Sequence, residues 1–232
     1  MQRVIAIDGP AGSGKSSTAR AVAQRLAILY LDTGAMYRAI TLKCLRQGVS
    51  AADNEALGRV VAETKLRFAG MPPDVKLLMD GEDVSEAIRS DKVTRHVSDY
   101  CAPAIVREAL VAQQRAIVES RPAVAEGRDI GTVVFPRAML KFYMVASVEQ
   151  RAKRRMKDFE ALGEKKSLEE IIADIKQRDR KDSTRENSPL RKAEGAEEVD
   201  TTDLTLDQQI AYICDRAVAC GLVDLDEDSP EL

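Results

Sequence analysis

Residues 9–17, Gly9-Pro10-Ala11-Gly12-Ser13-Gly14-Lys15-Ser16-Ser17, stand one aspartate after the apolar run Val4–Ile7. Gly9, Gly14, Lys15 and Ser16 fill the fixed positions of a G-x-x-x-x-G-K-[ST] phosphate loop. The glycines let backbone N–H groups turn inward around phosphate oxygens. Lys15 would reach the β- and γ-phosphates, and the Ser16 hydroxyl would sit on Mg²⁺. A helix starting near Gly14 would present its positive end to the same anion. The flanks agree. A short buried strand precedes the loop, and Ala19, Val22, Ala23 and Leu26 after it share one helical face. A bare glycine-rich strand-to-helix turn needs none of this, so the reading is a nucleoside triphosphate site.

The remaining chain alternates strand-like and helical patterns, as a parallel α/β sheet requires. Strands are expected at Val4–Ile7, Leu29–Leu31, Ala123–Ala125 and Leu140–Val145, with a weaker one at Glu198–Leu204. Helices are expected at Ala35–Arg46 and from Pro103 through Glu119, proline suiting a first helical turn. Ser147-x-x-Gln150, Ser167-x-x-Glu170 and Thr205-x-x-Gln208 are capping boxes, the last opening a helix that ends before Gly221. One stretch breaks the alternation. Leu66–Phe68, Val75–Met79 and Glu82–Val84, with Asp80-Gly81 as a hairpin turn, predict a small antiparallel sheet inserted at about residues 60–90.

Composition bounds the function. The chain has 232 residues, 44% hydrophobic and 31% charged, with a formal net charge of −3. That is a soluble globular composition with no global field for nucleic acid. Cys44, Cys101, Cys214 and Cys220 form neither a C-x-x-C pair nor a zinc spacing, so they read as reduced thiols. With no leader pattern and no membrane-length apolar run, the expected location is the cytoplasm. Asp224–Leu232 reads as a solvated acidic tail. A monomer is the default expectation.

The chemistry beyond the phosphate loop is narrower. A GTPase would carry an Asn-Lys-x-Asp box, yet Asn54 precedes Glu and Asn187 precedes Ser. Motor and transporter ATPases end a strand in an acidic pair, and here the strand ends in Glu126-Gly127-Arg128. Arginines are the recurring feature: Arg38, Arg107, Arg128 beside Asp129, the i, i+4, i+7 set Arg178, Asp182 and Arg185, and the cluster Arg151, Lys153, Arg154, Arg155. Taken singly, each reads as a solvated charge or a helix-face ion pair. Taken together beside a phosphate loop, they suit phosphoryl transfer between two bound nucleotides, whose transition state spreads charge over equatorial oxygens. His96 is the only histidine, which leaves no triad and no histidine metal site. Glu126 reads as either a partner of metal-bound water or a strand cap. Met36, Met139 and Met144 read as core filler.

GPAGSGKSS, LYLDTGAMYRA (29–39), VREAL (106–110), EGRDIGTVVFP (126–136) and IKQRDRKDSTR (175–185), in this order, resemble the bacterial cytidylate (CMP) kinase family over essentially the whole chain. DTGAMYR with GRDIGTVVFP is the specific pair. The resemblance implies a nucleoside monophosphate kinase fold: a single α/β domain, a parallel sheet with helices on both faces, a monophosphate-binding region at about 33–105 holding the β insertion, and a helical lid at about 150–165. It implies transfer of the γ-phosphate of ATP to CMP or dCMP, with Mg²⁺. By motif position, Thr33, Arg38 and Arg128 would hold the acceptor phosphate with Arg185 nearby. Arg178 and Asp182 would meet the ribose, and Ser98, Arg107 and Asp129 the base. A carboxylate accepts from the cytosine N4 amino group and repels the uracil carbonyl. Arg151, Arg154 and Arg155 would close over ATP, so Lys15, Arg38, Arg128 and these three are the catalytic candidates. Two departures stand out: Ala27 where glycine is usual, affecting a helix end, and Arg137 where an acid is frequent, expected outside the site. A broader UMP/CMP kinase, and a nucleotide-gated RNA-binding module using residues 151–155, remain the alternatives.

Overall fold

The protein is described here from a computed structural model covering residues 1–119, 121–161 and 166–223. The acidic stretch 224–232 and residues 162–165 of the expected lid lie outside the described residues. Strands β1 (Gln2–Asp8), β2 (Leu29–Asp32), β6 (Ala123–Gly127), β7 (Ala138–Val145) and β8 (Glu197–Asp200) form one parallel sheet in the order β2-β6-β1-β7-β8. Between β2 and β6 the chain inserts the antiparallel sheet β3 (Leu66–Ala69), β4 (Lys76–Met79) and β5 (Glu82–Asp83).

The apolar run in β1 explains the layering. Successive side chains of a strand point to opposite faces. Val4 and Ala6 enter one core with α2 (Thr33–Gln47), α3 (Asn54–Glu63), α4 (Asp91–Tyr100) and α5 (Ala104–Val118). Ile5 and Ile7 enter a second core with α1 (Lys15–Arg25) and α8 (Leu206–Ala219). A strand apolar on both faces must be covered twice, and the crossover helices do so. α6 (Val148–Ala161) and α7 (Leu168–Thr184) pack on each other through a separate small core of Ala152, Ile171 and Ile175. This helix pair is therefore a unit distinct from the sheet layers.

Most expected elements are present with small shifts. Asp32 caps α2 by accepting from the Ala35 N–H at 2.8 Å, so the helix starts at Thr33. Asp80 and Gly81 both have positive φ, 54° and 93°, matching the twist of a two-residue hairpin. The Asp80 carboxylate also accepts from the Lys65 N–H at 2.9 Å, closing the hairpin. All three capping boxes mark real helix starts, with the reciprocal bonds complete at Ser167/Glu170 and Thr205/Gln208. β8 ends at Asp200 rather than Leu204, because Thr201 turns toward the phosphate loop.

Two helices and one alignment differ from expectation. α3 and α4 were not marked by the sequence. α4 buries Val93, Val97 and Tyr100 alone, and no side-chain bond caps its start. Arg178, Asp182 and Arg185 do not share one helix face: α7 stops at Thr184, and Arg185 is already extended (φ −63°, ψ 143°). Ala27 adopts φ 51° as the chain leaves α1, an exposed left-handed position that disfavours a Cβ. Ala27→Gly should therefore raise stability by about 0.5–1 kcal/mol, relief of the left-handed strain outweighing added unfolded-state entropy. Thermal unfolding should show a midpoint about 1–4 °C higher.

Candidate active site

The phosphate loop leaves β1 at the carboxyl end of the sheet. Gly9 must be glycine: φ is 153°, and a Cβ there would lie 2.1 Å from the Met144 carbonyl oxygen. The loop is held from outside. The carbonyls of four successive residues each accept from a cation: Gly9 from Arg128 Nη1 (3.0 Å), Pro10 from Lys15 Nζ (2.9 Å), Ala11 from Arg151 Nη1 (3.2 Å) and Gly12 from Arg154 Nη1 (3.3 Å). The Ser13 carbonyl accepts from Thr201 Oγ1 at 2.8 Å. Five successive carbonyls of the loop, Gly9 to Ser13, are thus engaged by side chains from other parts of the fold or from α1.

Near the loop lies a cavity of about 320 Å³, called the acceptor cavity below because its walls include all nine residues expected to hold the acceptor: Thr33, Arg38, Ser98, Arg107, Arg128, Asp129, Arg178, Asp182 and Arg185. They come from α2, α4, α5, the turn after β6, α7 and the segment beyond it. Asp129 is buried at the centre. Its Oδ2 accepts from Arg107 Nη2 at 2.5 Å, and its Oδ1 faces Arg185 Nη2 at 3.9 Å. Arg128 joins the two sides, donating through Nε to Asp182 Oδ2 at 2.8 Å as well as to Gly9. Thr33 Oγ1 donates to the Glu126 carbonyl at 2.7 Å, tying α2 to the strand end. Arg38 donates to Thr94 Oγ1 at 2.9 Å.

Arg107 Nε, Arg178 Nε, Arg185 Nη2 and Tyr37 Oη are buried without a hydrogen-bond partner. Buried orphan donors cost free energy unless a ligand satisfies them. All four residues line this cavity. A second cavity of about 330 Å³ adjoins it and shares Ser98, Arg178 and Lys181. Gly12, Arg155 and Phe159 line it from the side of the phosphate loop and α6.

The charges are tuned by crowding. Burial pushes Lys15 down to about 7, aided by the neighbouring Arg128. Burial likewise lowers Arg178 to about 10, with Arg128 adding to it. Burial would raise the Asp182 carboxyl, yet Arg128 outweighs it and holds Asp182 below the usual carboxylate range. Ser16 Oγ donates to Glu126 Oε1 at 2.6 Å, and Asp32, the register neighbour of Glu126, is pushed up to about 6 by burial and by the Glu126 charge.

The α6 arginines differ. Arg151 is buried and tied three ways, to the Ala146 and Ala11 carbonyls and to Asp179 at 2.7 Å. Arg154 donates to the carbonyls of Gly12 and Thr201. Arg155 pairs only loosely with Asp158 at 3.4 Å and rests 4.8 Å from the Phe159 ring centroid. Sequence reading treated the three alike and missed Tyr37, Cys101, Asp99 and Lys181, which also line the acceptor cavity. Tyr37 had a signal in its place before Arg38, and Lys181 in the segment that carries Arg178 and Asp182; Asp99 and Cys101 lie at the end of α4, which the sequence did not mark. His96 is exposed on α4 and lines neither cavity, and Arg137 is exposed away from both.

The sequence profile of the family described as cytidylate kinase matches residues 5–218. This chain belongs to the cytidylate kinase family. It is 46% identical over 209 residues to a cytidylate kinase of Geobacillus thermodenitrificans, covering 90% of this chain and 93% of the relative. It is 52% identical over 205 residues to a bifunctional pantoate ligase/cytidylate kinase of Synechococcus sp., covering 87% of this chain but 38% of that protein. Among solved structures it is similar to TT1252 from Thermus thermophilus, with a TM-score of 0.47 and 17% identity over 93% of this chain and 96% of that one.

Lys15 yields a test. A triphosphate beside it favours the ammonium and raises its pKa from about 7. Binding of ATP should then take up close to one proton at pH 8, and affinity should weaken as pH rises above 7. Calorimetric titration in buffers of different ionisation enthalpy would read this, and proton release in place of uptake would contradict it.

Proposed function

We infer that the protein transfers the γ-phosphoryl group of ATP to CMP or dCMP, giving ADP and CDP or dCDP. The observation that supports this most is the buried Asp129 between Arg107 and Arg185, in a cavity lined by the same Arg128 that binds the Gly9 carbonyl of the phosphate loop. Oδ1 of Asp129 keeps acceptor capacity for a cytosine N4 amino group, and uracil would set a carbonyl oxygen against it. In this reading residues 33–105 hold the monophosphate, and α6 with the start of α7 is the lid.

The acceptor phosphate lies among Thr33, Arg38 and Arg128, with Arg185 near. Arg178 and Asp182 hold the ribose, and Ser98, Arg107 and Asp129 the base. The triphosphate lies in the loop 9–17, with Lys15 on its terminal phosphates. The acceptor oxygen is already an anion, so no side chain need take a proton or form a covalent bond. Positioning in line and neutralising charge supply the rate. Closure of the lid excludes water, which would otherwise hydrolyse ATP.

The oxygen donors Ser16, Glu126 and Asp32 fit Mg²⁺, which accepts few protein ligands and keeps several waters. Their crowded carboxylates, with Asp32 held up to about 6, are a setting a divalent cation relieves. Bound there, the ion would supply charge neutralisation across the triphosphate oxygens. Among the described residues no helix is long and apolar enough to cross a membrane, and the free thiols suit the reducing cytoplasm.

Initial rates on CMP, dCMP, UMP and AMP with ATP and Mg²⁺ test the reading. CMP and dCMP should turn over and UMP should be poor. Equal UMP turnover would sink the role of Asp129, and no ADP formation with any monophosphate would sink the reaction.

The three α6 arginines should separate. Arg155→Ala, with the loosest ties, should cost on the order of 10²–10³ in kcat with little loss of stability. Arg151→Ala removes a buried guanidinium and leaves the partly buried Asp179 carboxylate and Ala11 carbonyl without it, so it should lower the unfolding midpoint as well as activity. Similar kcat and similar melting for both variants would contradict this division.

A further inference from the structure

We propose that Asp8 is a positioning residue that holds the acceptor-binding turn in register with the phosphate loop, fixing where Arg128 and Asp129 stand relative to Lys15. The proposal rests on the kinase reading above. It concerns a residue that lines neither cavity.

Asp8 is the last residue of β1, and Gly9 opens the phosphate loop. Its side chain is 3% exposed. Oδ1 accepts from the Ile130 N–H and Oδ2 from the Gly131 N–H, each at 2.8 Å. These are the two residues immediately after Arg128 and Asp129. The next residue repeats the tie in the same sense, the Gly9 carbonyl accepting from Arg128 Nη1. Three bonds thus fasten the turn after β6 to two consecutive residues at the root of the loop.

A lone buried carboxylate is costly, and a purely structural N-terminal cap would be served by Asn or Ser. Here both oxygens accept, as only the ionised carboxylate can do without a donor facing an N–H. Burial pushes Asp8 up to about 6, with Asp129 adding to it and the two backbone N–H groups and Lys15 opposing, so the group is ionised at neutral pH. The carboxylate also sits between the cation of one subsite and the base-reading acid of the other. A shift of this turn by a fraction of an ångström would move Arg128 and Asp129 together, and misplacement on the scale of 1 Å costs about 10² in rate.

Asp8→Asn keeps the shape but turns an amide N–H₂ against one backbone N–H. With CMP as acceptor, kcat/KM should fall roughly 10- to 100-fold, with KM for CMP raised and kcat lowered. The preference for CMP over UMP should narrow at least several-fold. The Kd for ATP, measured directly, should stay within about threefold. Where Asp8→Asn yields no folded protein, Asp8→Ser keeps one acceptor without burying a charge, and the same loss of base preference is expected. Unchanged CMP kinetics and base preference in a folded variant would overturn the proposal. So would an equal loss of ATP and CMP binding with preference intact, the outcome of general damage. A wild-type protein inactive on CMP would instead defeat the kinase reading.

Discussion

The structure depends on holding several cations close together in one cleft. Lys15, Arg128, Arg151 and Arg154 all donate to carbonyls of the phosphate loop, and Arg38 and Arg178 stand nearby in the acceptor cavity. Their mutual repulsion is visible in Lys15 and Arg178, both displaced downward by burial and by Arg128. Asp182, Asp179 and Glu126 interleave with them and carry the compensation. The remaining repulsion is what a polyphosphate relieves on binding. The free protein is accordingly short of negative charge at one place, which is an affinity for anions stored in the fold.

Holding the loop by its carbonyls also settles a packing problem. A backbone that aims its N–H groups at a ligand exposes its carbonyls elsewhere, and buried carbonyls need donors. The chain supplies them from four separate elements: the turn after β6, α1, α6 and the Thr201 corner after β8. The loop is therefore shaped by long-range contacts and is more than a local turn. Gln209 adds to this from α8, accepting from Thr18 Oγ1 at 2.7 Å one turn into α1.

Local chemistry made much of this legible in the sequence. The phosphate loop, the hairpin at Asp80-Gly81 and the three capping boxes are short-range patterns whose physics is complete within a few residues. Strand β1 was readable because it is apolar on both faces, and that alone demanded helices on both sides. α4 was not readable: Val93 and Val97 with many polar neighbours give too weak a period, and tertiary packing decides its existence. Nor could spacing place Arg185, since an i, i+7 step presumes a helix that ends at Thr184. Seven of the nine residues expected to hold the acceptor stood out as charges beside a phosphate loop, and the resemblance added Thr33, Ser98 and the individual roles, over about 150 positions. Only the fold brings them to one cavity. The distinction among Arg151, Arg154 and Arg155 was out of reach, because it lies in their partners: Asp179, Thr201 and Phe159.

Arg107 and Asp129 show why such a site resists simplification. The pair is buried on both sides, at 4% exposure each. Burying two charges for attraction alone is rarely favourable against an apolar pair of the same size, while removing one partner costs roughly 3–5 kcal/mol. Stability thus does not account for the pair. What the pair does is fix the carboxylate: Arg107 takes Oδ2 and leaves Oδ1 with Arg185 Nη2 at 3.9 Å, beside the cavity that all three residues line. In the proposed reading the cytosine edge runs from the N4 amino donor to the N3 and O2 acceptors, so Asp129 would take the amino group and the arginines the acceptors beside it. A neutral residue in place of Asp129 would leave the buried Arg107 without its charged partner. If Asp129 reads the base as proposed, stability and selectivity pull against each other at this position.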